Sequence, residues 1–408
     1  MAAEPARVAV PHIRQEGQDR VTQPLESYQD EIYLNGLTWA RPQFPADLSA
    51  LEEAARTVMT PRSFDYVAGG AGSGDTVREN LEAFRRWRIV PRMLTDVSTP
   101  SFATSVLGTE LAVPFMLAPV GVLAIAHPDA ESAVARAAAA AGVPMILSTA
   151  ASTPMEAVAD ANGDGQRWYQ LYWPKDRAFA ASLLGRAQAA GFSVLVVTLD
   201  TRALAWRPRD LDHGHLPFLH GIGVQNYLTD PAFQAALASP VDVDPGAAIL
   251  RYTEVFGDMS LTWDDLPFLR QHWNGPIVLK GILSGADAMR AADAGMEGII
   301  VSNHGGRQVD GSIAALDALP AVAEAVGARL AVLFDSGIRG GADMLKALAL
   351  GAQAVLIGRP YVYGLGLGGE AGVRHVLRAL RNDFELTMRL AGLARLSDLG
   401  PDCVQRRP

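Results

Sequence analysis

The chain is predicted to fold as an α/β protein: a (β/α)8 barrel with an N-terminal helical extension and a long loop after the fourth strand. Three observations lead there. From about residue 112, short apolar, β-branched runs alternate with alanine-rich helical stretches. The runs number eight, the count of a closed barrel of parallel strands. Polar residues gather after almost every run, as they do where barrel strands converge on one mouth. An open doubly wound sheet shares the alternation, but no Gly-x-Gly-x-x-Gly follows the first run, which weighs against it.

With 408 residues and 49% hydrophobic content, the chain can bury a large core. Its net charge of −9 disfavours nucleic acid or an anionic membrane as the main partner, while leaving room for a locally positive pocket. Cys403 is the sole cysteine, so no internal disulfide forms and a reducing cytoplasm fits. The N-terminus carries Glu4, Arg7, His12, Arg14 and Glu16 and has no signal-peptide core. No run approaches the roughly eighteen apolar residues of a spanning helix. A soluble, cytoplasmic protein without a metal is expected.

Residues 1–48 are polar and proline-punctuated, with Tyr28, Tyr33 and Trp39 spaced along them. They read as an arm that packs on the body or on a neighbouring subunit. A helical pattern follows from Asp47 to Met59, with Asp47 as N-cap. Thr60-Pro61 then caps a short helix from Pro61 to Val67. The glycines from Gly69 to Gly74 resemble a phosphate loop, yet no strand precedes them and no Gly-Lys-Ser/Thr follows.

The barrel strands are expected at Pro114–Leu117, Met145–Ser148, Trp168–Leu171, Val194–Thr198, Ile277–Lys280, Gly298–Ser302, Leu330–Phe334 and Ala354–Ile357. Helices are expected at Asp129–Ala141, Pro154–Ala161, Arg177–Ala190, Trp263–Gln271, Ser284–Ala294, Ala315–Val326 and Ala342–Leu350. Most gaps between strands are roughly twenty to thirty residues, enough for a helical crossover. The fourth gap is far longer and rich in proline, histidine and aromatics, among them Trp206, His213, His215, Phe218 and Tyr227. It reads as a lid over the barrel mouth or as an oligomer contact. The expected divisions are an arm at 1–48, a barrel domain at 49–390 with the insertion at about 201–262, and a tail at 391–408.

Residues just after the strands should share the mouth. They are Pro119-Val120-Gly121, Ser148, Gln170 with Tyr172, Thr198 with Asp200, Lys280, and His304 with Arg307. After the seventh run comes Asp335-Ser336-Gly337-Ile338-Arg339, and after the eighth Gly358-Arg359. These last two loops suit a phosphate: glycines expose backbone N–H groups, two arginines add charge, and barrels bind phosphate at those strands. His304 and Arg307 suit a small acid bearing a removable proton, one as general base and the other as a bidentate carboxylate clamp. Lys280 reads either as a stabiliser of charge on a phosphorylated cofactor or as the partner of a neighbouring carboxylate.

Four motifs now carry a resemblance: Ser302-Asn303-His304-Gly305-Gly306-Arg307-Gln308, Tyr169-Gln170-Leu171-Tyr172, Thr198-Leu199-Asp200 and Asp335-Ser336-Gly337-Ile338-Arg339-Gly340-Gly341. From about Tyr28 to Leu390 the chain resembles the FMN-dependent α-hydroxy-acid-oxidising family, which includes glycolate oxidase, lactate oxidase and mandelate dehydrogenase. Tyr28-Gln29-Asp30-Glu31-Ile32-Tyr33-Leu34, Tyr66-Val67-Ala68-Gly69-Gly70 and Trp206-Arg207-Pro208-Arg209-Asp210-Leu211 are similar to lactate 2-monooxygenases within it.

The resemblance implies FMN as cofactor, with His304 as catalytic base and Asp200 as its orienting carboxylate. It implies that Arg307 and Tyr66 bind the substrate carboxylate, that Arg207 is a second arginine at the substrate and that Tyr172 hydrogen-bonds the reacting oxygen. Lys280, Ser148, Gln170, Thr198, Ser302 and the Pro119-Val120-Gly121 backbone would meet the flavin. Asp335, Ser336, Gly337, Ile338, Arg339, Gly358 and Arg359 would meet its ribityl chain and phosphate. It further implies a 2-hydroxy acid as substrate, molecular oxygen as acceptor and a homotetramer or larger assembly. Lactate, converted to acetate, carbon dioxide and water, is the substrate and outcome expected by likeness. Ala150, where several oxidases of the family carry a bulky aromatic, leaves a larger or aryl 2-hydroxy acid, released as 2-keto acid, as the alternative.

Overall fold

The computed structural model describes residues 27–407, in two units that divide between Arg41 and Pro42. The first 26 residues of the expected arm lie outside the described residues. In the first unit, Tyr28–Gly36 forms a helix whose N-cap Ser27 accepts a hydrogen bond from the Asp30 N–H.

The second unit holds the barrel. Its strands are β1 Phe115–Leu117, β2 Met145–Ser148, β3 Arg167–Leu171, β4 Leu195–Thr198, β5 Ile277–Ile282, β6 Gly298–Val301, β7 Ala331–Phe334 and β8 Ala354–Ile357. Each pairs in parallel with the next and β8 pairs with β1, which closes the ring and excludes the open sheet. All eight expected strands are present, with ends shifted by at most two residues.

The alternation of side chains along each strand sorts the core into two parts. Met116, Ile146, Trp168, Val196, Val278, Ile300, Leu333 and Leu356 fill the interior. Their sequence neighbours, such as Leu117, Leu147, Tyr169, Val197, Leu279, Val301 and Ile357, join the larger cluster that includes the surrounding helices. Val106 and Leu111, from a hairpin of Thr104–Val106 and Thr109–Leu111, join the interior cluster, and Thr109 Oγ1 accepts from Trp168 Nε1 at 2.8 Å.

The helical extension is as expected: Asp47 caps Leu48–Ala50, Leu51–Val58 follows, and Thr60 caps Pro61–Ala68. Several further elements were not expected. Asp75–Arg86 is a helix leading into the barrel. Arg359–Leu390 is a long helix after β8 with a kink at Gly368 and Gly369. Trp87–Ile89 pairs antiparallel with Val404–Arg406, so the C-terminal segment returns to the body. Among the described residues, no helix is long and apolar enough to cross a membrane.

Candidate active site

The C-terminal ends of the strands surround one cavity, and most of the sequence-selected residues line it: Tyr66, Pro119, Val120, Gly121, Tyr172, Arg207, Lys280, His304, Arg307, Asp335, Ser336, Gly337, Ile338, Arg339, Gly358 and Arg359. Asp200, Ser148, Gln170, Thr198 and Ser302 are not in its wall. The last four are buried beneath it, and Asp200 stands behind His304.

His304 opens the loop after β6 in the left-handed region (φ 59°), and Gly305 (64°) and Gly306 (76°) continue it. Such a run is open to glycine and costs a side-chain-bearing residue about 1 kcal/mol. The loop is held by its own N–H groups: His304 N donates to Ser302 Oγ and Gly305 N to Ser336 Oγ, each at 3.0 Å. Asp200 Oδ1 lies 2.8 Å from His304 Nδ1, and Thr201 Oγ1 donates to that same oxygen. A carboxylate only accepts, so Nδ1 carries the ring proton. Nε2, 3.5 Å from the Tyr172 hydroxyl, keeps its lone pair.

Burial pushes the His304 imidazole below its usual range, aided by Lys280 and Arg207 and opposed by Asp200. Burial acts to raise the Asp200 carboxyl and is outweighed by His304, Lys280 and Thr201, so it stays ionised. Burial also raises the Tyr172 phenol, which remains protonated. At neutral pH the trio is a carboxylate, a neutral imidazole and a phenol.

Arginines crowd the opposite wall. Arg307 donates to the carbonyls of Tyr66 and Gly69, and its guanidinium stands 4.9 Å from the Tyr66 ring centre. Arg207, from the insertion, donates to Arg307 O and Gln308 Oε1. Arg359 donates to the carbonyls of Val67, Gly69 and Gly305. The glycine-rich segment thus supplies carbonyls that aim guanidiniums, a role distinct from a nucleotide fingerprint. Burial, with Arg307 alongside, pulls Arg207 down to about 10, and burial likewise brings Arg359 to about 10. Both stay cationic at neutral pH.

Lys280, 3% exposed, sits 3.0 Å from Asp335 and donates to Ser302 Oγ at 2.8 Å. Burial works against its charge, but Asp335 and Asp200 outweigh it and raise its pKa. The carboxylate partner expected for Lys280 is thus Asp335, and the ion pair keeps the ammonium charged within the cavity wall. Ser148 Oγ donates to Gln170 Oε1 at 2.9 Å, while the buried Gln170 amide nitrogen has no partner among the described residues. Five cations (Arg207, Lys280, Arg307, Arg339, Arg359) line the cavity against one carboxylate, Asp335. An acidic chain has built a cationic pocket, which suits an anionic ligand.

Sequence reasoning missed Thr201, whose hydroxyl braces the His304–Asp200 contact, and Leu204, Phe256, Leu123 and Ile125 in the wall. Thr201 directly follows Asp200, the one signal that could have found it. Leu204, Arg207, Phe218 and Phe256 all come from the insertion, which therefore reaches the site.

Comparison with known proteins agrees with the barrel fold. A family model described as FMN-dependent dehydrogenase matches residues 55–406. An FMN-dependent alpha-hydroxy acid dehydrogenase of Schizosaccharomyces pombe is 47% identical, over 93% of this chain and 96% of that protein. An L-lactate oxidase of Nostoc is 43% identical over 87% of this chain and 96% of its own. The crystal structure of a mandelate oxidase superposes with a TM-score of 0.79 at 37% identity, covering 89% of this chain and 98% of that one. The chain belongs to the FMN-dependent dehydrogenases, oxidoreductases of α-hydroxy acids.

Proposed function

We propose that this enzyme oxidises an L-2-hydroxy acid with an apolar side chain larger than the methyl of lactate, releasing the 2-keto acid, with molecular oxygen as acceptor. The observation that carries the substrate size is the wall around Ala150. This small buried residue shares the cavity with Val120, Leu204, Phe218 and Phe256, an apolar corner beside the cationic wall. An apolar substituent gains by leaving water there, while the carboxylate is held by Arg307, Arg207 and Tyr66.

FMN, when bound, supplies the two-electron acceptor that side chains lack. The residues present fit it. Arg339 and Arg359, with the backbone of Gly337 and Gly358, would hold the phosphate. Lys280 would offset negative charge on the ring, and the unpartnered Gln170 amide is a donor in search of an acceptor. Pro119, Val120 and Gly121 would line the ring, with Ser148, Thr198 and Ser302 beneath it and Asp335, Ser336 and Ile338 along the chain that joins ring to phosphate.

The chain's own part is proton management. Tyr172 would hydrogen-bond the substrate hydroxyl, and His304 Nε2 takes a proton as the substrate loses two electrons. Asp200 stabilises the resulting imidazolium. Two electrons and two protons leave the alcohol, and oxygen takes them up as hydrogen peroxide.

A second reading, lactate 2-monooxygenation to acetate, carbon dioxide and water, is favoured by the insertion. It lays Leu204, Arg207, Phe218 and Phe256 along the mouth, where they would delay release of keto acid and peroxide. Cytoplasmic placement and assembly as a homotetramer or larger belong to the same proposal, tested by fractionation and sedimentation. The deciding experiment follows anaerobic bleaching of the flavin with a panel of 2-hydroxy acids, then identifies products in air. Faster bleaching by aryl or long-chain acids, with keto acid released, supports the first reading. Preference for lactate with acetate as product establishes the second, and a flavin that no 2-hydroxy acid bleaches overturns both.

A further inference from the structure

We infer that Asn80, on the helix Asp75–Arg86 ahead of the barrel, is a positioning residue for His304 and acts through Asn303. The inference rests on His304 being the base, as proposed above. Asn80 and Asn303 face each other as a buried amide pair, 2% and 5% exposed. Asn80 Nδ2 donates to Asn303 Oδ1 and Asn303 Nδ2 donates to Asn80 Oδ1, both at 2.8 Å. The direction of these bonds is set by backbone donors, which only an oxygen can accept. Gly306 N donates to Asn303 Oδ1 and Ala315 N to Asn80 Oδ1, each at 3.1 Å. Asn303 Nδ2 also reaches Ile313 O at 3.1 Å. The two amides are thus spliced between both ends of the loop that carries His304, and neither can turn over without opposing like groups.

The loop needs such a clamp. His304, Gly305 and Gly306 stand in succession in the left-handed region, and a chain with two glycines there has many other conformations available. Asn303 immediately precedes His304, so the angle at which the imidazole leaves the backbone depends on where Asn303 is held. The helix also presses on the loop through Val77, 2.7 Å from where a Cβ on Gly306 would stand. The backbone carbonyl of Asn80 lies 2.7 Å from the corresponding position on Gly337, in the loop after β7. Asn80 therefore sits between the His304 loop and a loop of the cationic wall, outside the reach of substrate.

The test uses the FMN-loaded enzyme and measures the rate constant of flavin reduction per bound flavin at saturating 2-hydroxy acid. Asn80→Ala removes the clamp, and Asn80→Asp keeps its size and acceptor while placing a second acceptor opposite Asn303 Oδ1. Thr76→Val serves as the control. It cuts another tie between the same helix and the same region, in which Thr76 Oγ1 donates to Val309 O and accepts from Ser312 N, away from His304. Both Asn80 variants should keep FMN and lose about 10²-fold in reduction rate, the scale of an ångström's misplacement. Asn303→Ala should add little to Asn80→Ala, because one interaction is being removed twice. Thr76→Val should lower the melting temperature with the reduction rate per flavin unchanged. Should either Asn80 variant be reduced at the parent rate, or Thr76→Val lose rate equally, the inference fails. His304→Ala, run alongside, separates the two claims: if it too is reduced at the parent rate, the base assignment fails first.

Discussion

Asp200 Oδ1 lies 2.8 Å from His304 Nδ1, and this contact leaves Nε2 facing the Tyr172 hydroxyl in the cavity. The pair sets both the tautomer and the charge state of the proposed base. Asp200→Asn keeps the shape but offers an amide that can donate to Nδ1, which would put the ring proton on Nε2. Flavin reduction should slow by about 10³–10⁴-fold, the scale seen when an orienting carboxylate is neutralised. Rapid mixing without oxygen measures it, and a loss under tenfold would remove Asp200 from this role.

The pH dependence follows from the same geometry. Burial keeps the His304 pKa below its ordinary value of about 6.5. The active form is the neutral one, so activity is full at neutral pH and lost as pH falls through that lowered pKa. Asp200 raises the His304 pKa, so Asp200→Asn should move the acid limb to still lower pH while reducing the plateau. A profile of kcat/KM against pH checks both shifts, and a limb that moves upward contradicts the charge assignment.

Much of this site was readable from residue order, and the reason is topological. A parallel barrel delivers every strand's C-terminal end to one mouth, so locating eight apolar runs also located His304, Lys280, Asp335 and Arg359 relative to one another. What escaped notice lies where local pattern and tertiary use diverge. Asp75–Arg86 buries Thr76, Asn80, Ala83 and Phe84, a face half polar because its job is hydrogen bonding, so its inner side does not read as a purely apolar stripe. Arg359–Leu390 carries five glycines between 364 and 372, which argue against a helix. There Gly364 and Gly372 pack backbone to backbone, where a Cβ on Gly372 would stand 1.9 Å from Gly364 O. The distance between such segments in sequence hid the Asn80–Asn303 pair as well.

Lys280 offers a stability test. Its ammonium and the Asp335 carboxylate form a buried ion pair at 3.0 Å, with Ser302 and Ser336 completing their hydrogen bonds. Lys280→Met removes one charge and strands the other in the wall. Breaking a buried pair in this way costs about 3–5 kcal/mol, so the apoprotein should melt at markedly lower temperature. Denaturant unfolding of parent and variant measures the difference, and a cost below about 1 kcal/mol would place the pair in effective contact with water.

Substrate size is tested at Ala150, which is 3% exposed and closely packed by the loops that follow β1 and β4. Ala150→Phe would fill the apolar corner bounded by Phe218 and Phe256. Overpacking should cost about 1–3 kcal/mol of stability. The kcat/KM ratio of an aryl 2-hydroxy acid to lactate should fall by at least tenfold, the scale for excluding apolar bulk from a pocket. An unchanged ratio would mean that the substrate side chain lies elsewhere.

Gly281 is the last point at which backbone and chemistry meet. β5 is irregular between Lys280 and Ile282, and Gly281 stands there at φ 106°, a conformation that L side chains rarely adopt. A Cβ at this position would lie 3.0 Å from Asp200 Cβ, Cγ and Oδ2 at once. The irregularity thus makes room for the carboxylate that orients His304, directly after the residue that supplies the buried ammonium. Gly281→Ala should cost about 1–3 kcal/mol from the strained backbone and also push Asp200 away from the imidazole. Flavin reduction per bound flavin should therefore fall along with the melting temperature. In the Asp200→Asn background the alanine should slow reduction much less, because the contact it disturbs is already impaired. Equal losses in both backgrounds would show that Gly281 acts through the strand alone, with no bearing on Asp200.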